Sequence, residues 1–181
     1  VDYNGDGVID AQDFVANGKL SYPAHTYGLT LSAGYKGFAI NVMFYGVSGI
    51  DLATPYELLW EFPGNNAMAW PYSVNRWTPE TALTATRPSL HMTTTRTHNA
   101  QNSTFGFADA SYWRLKTMEL SYRFASGFMN KLRNGAGLQV YFNGNNFFTW
   151  SNFDDRIDPE SANSGAYPIV RRYNLGLRIS L

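Results

Sequence analysis

The chain has 181 residues, enough for one or two ordinary domains, and its 14 basic and 14 acidic residues leave no net charge. That balance offers no field to gather nucleic acid, and the absence of cysteine excludes disulfides, thiol catalysis and cysteine-ligated metals. Charged residues make up only 15% and aromatics 16%, which with abundant Asn, Ser, Thr and Gly suits a membrane β-barrel wall better than a soluble core.

The first element is Asp2-Tyr3-Asn4-Gly5-Asp6-Gly7-Val8-Ile9-Asp10-Ala11-Gln12-Asp13. Side-chain oxygens fall where a calcium loop needs them, on Asp2, Asn4, Asp6, Asp10 and Asp13. Gly7 stands at the sharp turn, Val8 would offer its carbonyl, and Ile9 would pack inward. The expected cofactor is a structural calcium ion. Asp13 stands where such loops usually carry Glu, and its shorter reach makes bidentate ligation harder. The competing reading is an Asx and glycine turn with no ion. Val1 opens directly onto this motif, so the natural start is expected upstream.

Next come two segments of strict period-two alternation, the mark of strands with one oily and one wet face. Tyr27, Leu29, Leu31, Ala33 and Tyr35 oppose Thr26, Gly28, Thr30, Ser32 and Gly34. After the tight link Lys36-Gly37, Phe38, Ile40, Val42 and Phe44 oppose Ala39, Asn41, Met43 and Tyr45. This predicts a hairpin over 26–46.

A long connection, 48–110, follows. Glu57 and Glu61 are four apart in Pro55-Tyr56-Glu57-Leu58-Leu59-Trp60-Glu61, which reads as the wet face of a short helix rather than an acid–base pair. His25, His91 and His98 lack metal-ligand spacing. Asn102-Ser103-Thr104 has the form of a glycosylation sequon, a pattern frequent by chance. Trp60, Trp70, Tyr72, Trp77 and, further on, Trp150 would either stack on a ligand or fold the loops together.

The third alternating segment, Ser111 to Phe124, has Met118, Leu120, Tyr122 and Phe124 on its oily face, opposite Thr117, Glu119, Ser121 and Arg123. The same phase carries Tyr112, Arg114 and Lys116 earlier, so that end is expected to rise above the hydrocarbon. A modest link, with a helical turn expected near Phe128 to Leu132, leads to Leu138, Val140 and Phe142 against Gln139, Tyr141 and Asn143. The hairpin spans 111–147, a second long connection 148–168, and a terminal strand 169–181. There Tyr173, Leu175, Leu177, Ile179 and Leu181 alternate with Arg172, Asn174, Gly176, Arg178 and Ser180.

Long and short links thus alternate, as in outer-membrane barrels. The oily faces end in aromatics, as interfacial girdles do. The fold class expected is all-β: an antiparallel transmembrane barrel segment of about five strands with long extracellular loops. A periplasmic C-terminus would place Lys36-Gly37 and 125–137 in the periplasm, and both long loops and 1–25 outside. No stretch is long and apolar enough for a transmembrane helix, which says nothing about strands, and no nucleophile elbow or phosphate-binding glycine loop is present. Two other readings remain open: a soluble carbohydrate-binding β-sandwich, and a calcium-dependent module of dockerin type, for which a second loop copy is missing.

Four stretches together resemble one family. They are Asp2–Asp13; Arg76-Trp77-Thr78-Pro79-Glu80 with Arg87-Pro88-Ser89-Leu90; Ser111-Tyr112-Trp113-Arg114-Leu115-Lys116 running on to Tyr122; and Asn143-Gly144-Asn145-Asn146-Phe147-Phe148-Thr149-Trp150 with Asp158-Pro159-Glu160, Tyr167-Pro168 and the terminal strand. In order and spacing they resemble the C-terminal end of SusC/RagA-type TonB-dependent outer-membrane transporters. The resemblance implies a barrel of about 22 strands, so most strands, the plug and the TonB box would lie outside this chain. It also implies no bond chemistry. The implied activity is import of oligosaccharides or peptides across the outer membrane, under a SusD-like lipoprotein lid and energised through TonB. Leu181 departs from the terminal aromatic usual in the family.

Overall fold

The computed structural model describes residues 2–16, 18, 20–62, 69–91, 103–124, 137–161, 167 and 169–180. Five long strands form one antiparallel sheet in the order β1 (His25–Tyr35), β2 (Phe38–Ser48), β5 (Tyr112–Arg123), β6 (Gly137–Ser151), β7 (Arg172–Ser180). A two-stranded ribbon, β3 (Asp51–Ala53) with β4 (Phe107–Asp109), rises from one end of it. One helical turn, α1 (Tyr56–Leu59), lies in the long connection. The sequon's Asn102, His98, the turn expected near Phe128 to Leu132, and Leu181 lie outside the described residues.

The register follows from the alternation. Leu31 faces Val42, which faces Met118; further along, Leu120 faces Phe142, which faces Leu175. One continuous oily face therefore crosses all five strands. The sheet is a single layer: among the described residues the other sheet is the three-residue β3–β4 ribbon at one end, too short to face it as the second half of a sandwich. Along β1 and β7 even the apolar side chains are open: Leu31 is 51% exposed and Leu175 79%. A sheet that leaves such a face bare suits lipid as its solvent.

Two registers run longer than alternation alone predicts. β2 and β6 extend to Ser48 and Ser151, and a bulge interrupts β5 beside them: Met43 faces Thr117, but Phe44 faces Leu115. The extra residue, Lys116, reverses the phase. The end carrying Tyr112 and Arg114 therefore does not lift its charges out of the oily face. It turns them to the polar face and puts Trp113 and Leu115 on the oily one. Trp150 likewise belongs to the wall, facing Trp113, rather than to a loop.

Aromatics edge both ends of the oily face. Tyr27 stacks on Trp113 at 5.5 Å at one end, and Phe38 packs on Tyr122 at 4.5 Å at the other. Tyr27 to Tyr35 covers about 27 Å along the strand at ~3.4 Å per residue. With a tilt of about 40° that is roughly 20 Å of height, close to the apolar band of an outer-membrane barrel.

Candidate functional site: the polar face and its loop cluster

The opposite face carries the polar partners in rows. Asn174 donates to Asn143 at 2.9 Å, and Asn143 to Glu119 at 3.4 Å, a ladder across three strands. Arg178 donates to Gln139 at 3.3 Å and lies 5.7 Å from the Tyr141 ring. Thr117, Ser121, Arg123 and Arg172 share this face by register. Such a row of hydrogen-bonding groups would be costly against lipid and belongs against water.

At the end nearest the long connections this face is covered. Val47, Ile50, Ala110, Tyr112 and Phe153 form the buried apolar cluster, with Tyr45, Leu52, Ala108 and Ile157 packed against it. Phe153 and Ile157 come from the second long connection, so residues 153–160 lie as a strap on the polar face. The strap's acids then meet the wall's bases. Arg114, with no exposed surface, donates to both Asp158 carboxylate oxygens at 2.6 and 2.7 Å and stands 3.0 Å from Glu160. Lys116 meets Glu160 at 2.6 Å. Removing one partner of a buried pair such as Arg114–Asp158 costs about 3–5 kcal/mol, because the other charge is left stranded.

Residues 56–62 and 69–91 of the first long connection fold around two arginines. Arg87 reaches Glu61 at 3.4 Å, donates to the Leu59 carbonyl, and lies 4.1 Å from the Tyr72 ring centre. Glu61 also accepts from Ser73 at 2.8 Å. Glu61 thus sits beyond α1 in a half-buried ion pair, not on the wet face expected of it; Glu57 is exposed. Tyr72 donates to the Leu58 carbonyl. Arg156, from the strap, donates to Leu58 at 3.1 Å and to the Tyr72 hydroxyl at 3.4 Å, and lies 4.9 Å from the Trp70 and Tyr72 rings. Its bond to Asp154 holds that carboxyl below the usual range and raises the guanidinium further. Trp70 and Tyr72 stack, and Trp60 packs on Phe105, so these aromatics fold the loop together. Trp77 stays 47% exposed.

The loop Asp2–Asp13 has the turns its sequence demands. Gly5 and Gly7 take left-handed φ of 77° and 83°. The Asp2 carboxylate accepts from the Gly5 and Gly7 amides at 2.6 and 2.8 Å, and Asp6 from Val8 at 2.8 Å. Asp13 is buried and accepts from Tyr3, Asn4 and Asp10 at 2.6, 3.3 and 2.9 Å. The bonds from Asp10 and Tyr3 hold its carboxyl below the usual range. Among the described residues no three acidic or imidazole side chains converge on one point. Ile9 is 43% exposed rather than packed inward, and the loop's own hydrogen bonds close on themselves. Sequence reading found this loop but missed the Arg114–Asp158 and Arg156–Tyr72 contacts, which join residues 44 and 84 apart.

No family model matches the chain. Among curated proteins, the TonB-dependent receptor P26 of Formosa agariphila is 28% identical over 193 residues, an alignment spanning 99% of this chain and 19% of that protein. Along its whole length the chain is thus similar to a TonB-dependent receptor. Solved structures carry the same fold. The RagAB peptide transporter superposes with a TM-score of 0.73 at 24% identity, over 88% of this chain and 18% of that one. The RagAB peptide importer in its closed-closed state gives 0.73 at 22%, over 95% and 20%. The chain thus spans about a fifth of the proteins it matches. That explains why its sheet is open: the described strands β1 and β7 each pair on one side only.

Proposed function

We propose that this segment is part of the wall of an outer-membrane importer for oligosaccharides or peptides, energised through TonB and closed by a SusD-like surface lipoprotein. The observation that carries the reading is the division of all five strands into one oily and one polar face, edged by aromatics at both ends. The match of this chain to about a fifth of a TonB-dependent receptor supports the energy source, and the likeness to RagAB supports a peptide cargo and a second protein subunit. In this reading the C-terminus is periplasmic, 48–110 and 148–168 face outside, the remaining barrel and plug close against β1 and β7, and the protein transports rather than catalyses. The test is uptake by cells expressing the full-length protein with its lipoprotein, fed labelled oligosaccharide or peptide pools. Uptake of one pool that stops when TonB is deleted supports the reading; uptake of neither overturns it.

A structural calcium ion in the outer loop is part of the same reading. Asp2, Asn4, Asp6, Asp10 and Asp13 with the Val8 carbonyl supply hard oxygens on a chain already turned by two glycines. These carboxylates now accept backbone N–H groups, bonds that a wrapped calcium loop can retain. Terbium luminescence sensitised by Tyr3 in the full-length protein checks it. A calcium-displaceable signal, weakened at least 10-fold in D6A, is expected; no calcium-displaceable signal contradicts it.

A further inference from the structure

The strap at 153–160 touches two partners with two different faces. Asp158 and Glu160 hold it to Arg114 and Lys116 on the wall. Arg156, between them and Asp154 in sequence, points to the loop instead: to Leu58, Tyr72 and Trp70. Tyr72 in turn lies against Arg87, which fixes Leu59, Glu61 and, 5.7 Å away, Phe105. The chain of contacts therefore runs from wall to strap to loop. Phe153 and Ile157 seal the strap's underside against Val47 and Tyr112.

We propose that residues 153–160 act as a fastener that fixes loop residues 54–62 and 69–89 over the mouth of the lumen, with Arg156 as its positioning residue. An arginine suits this post because its planar fork can donate to a carbonyl and a hydroxyl while its face lies on aromatic rings. Lysine has neither the fork nor the face. The loop and the wall then move as one body, and any opening of the mouth must come from other parts of the protein. That the loop stands at a lumen mouth rests on the transporter reading above; the fastening itself does not.

The test uses the full-length protein purified in detergent, so it stands apart from any failure of transport. Trypsin nicking at Arg76-Trp77, the one cleavable bond in 54–89 because Arg87 precedes Pro88, is timed by mass spectrometry, with heat-modifiable migration on gels as the check that each variant's barrel is folded. R156A is expected to speed nicking about 10-fold, and R156K to restore little of the protection. D158N/E160Q, which frees the strap from the wall, is expected to expose the same bond, and combining it with R156A to add nothing further. T30A, on the polar face away from the strap, serves as the control. Unchanged nicking in folded R156A overturns the proposal. So does a combined variant whose effects multiply, because the strap would then not be the link between wall and loop.

Discussion

Gly144 has no side chain because Phe147 occupies its place. A methyl group there would stand 2.7 Å from the Phe147 ring and against the Arg172 backbone carbonyl. The ring reaches that spot because Asn146 adopts a left-handed φ of 57°, a conformation asparagine tolerates, and donates to the Val170 carbonyl at 3.1 Å. Phe147 then packs at 5.2 Å on Tyr173 and 6.1 Å on Phe142, stitching β6 to β7. Gly144→Ala is therefore expected to cost about 1–3 kcal/mol, the usual penalty of overpacking, read from urea unfolding of the folded barrel. No loss would mean that the ring does not lie over the strand. Nothing in Asn145-Asn146-Phe147-Phe148 announces this in the sequence. Two adjacent aromatics break an alternation, and only the paired strand tells which one folds back.

At the scale of the strands, alternation was sufficient for the oily and polar faces wherever the ladder is regular. Tyr27 to Tyr35, Phe38 to Phe44, Met118 to Tyr122 and Tyr173 to Ile179 lie on the faces their spacing predicts. It failed at Lys116, because a bulge belongs to the pair of strands rather than to either one. Alternation read straight through that residue sends Tyr112 and Arg114 to the wrong face. The lost information returns only with Arg114's partner, Asp158, from a connection that local pattern cannot place. The regular part yields a sharp contrast. Leu31, mid-strand between Ala33 and Leu29 on the oily face, should not accept a charge: Leu31→Arg is expected to cost about 2–4 kcal/mol near the bilayer midplane. Thr30→Arg, one residue away on the polar face, is expected to change stability by less than about 1 kcal/mol. Equilibrium folding into lipid vesicles measures both. Equal costs would remove the distinction between the faces.

At the scale of the molecule, five strands with two open edges make a surface rather than a container. The oily face is bare by soluble standards, while the polar face is laddered with Asn, Glu, Gln and Arg and roofed at one end by the strap and the loop it holds. Each face asks for a different solvent, and that demand is the central claim. It is tested most directly by spin labels placed singly at 29, 31, 175 and 177, and at 30, 32, 174 and 176, in the full-length protein in a bilayer. The account predicts high accessibility to oxygen, the lipid-soluble quencher, at the odd positions and to a water-soluble nickel chelate at the even ones. Reversed accessibility, or no difference between the two sets, would contradict it.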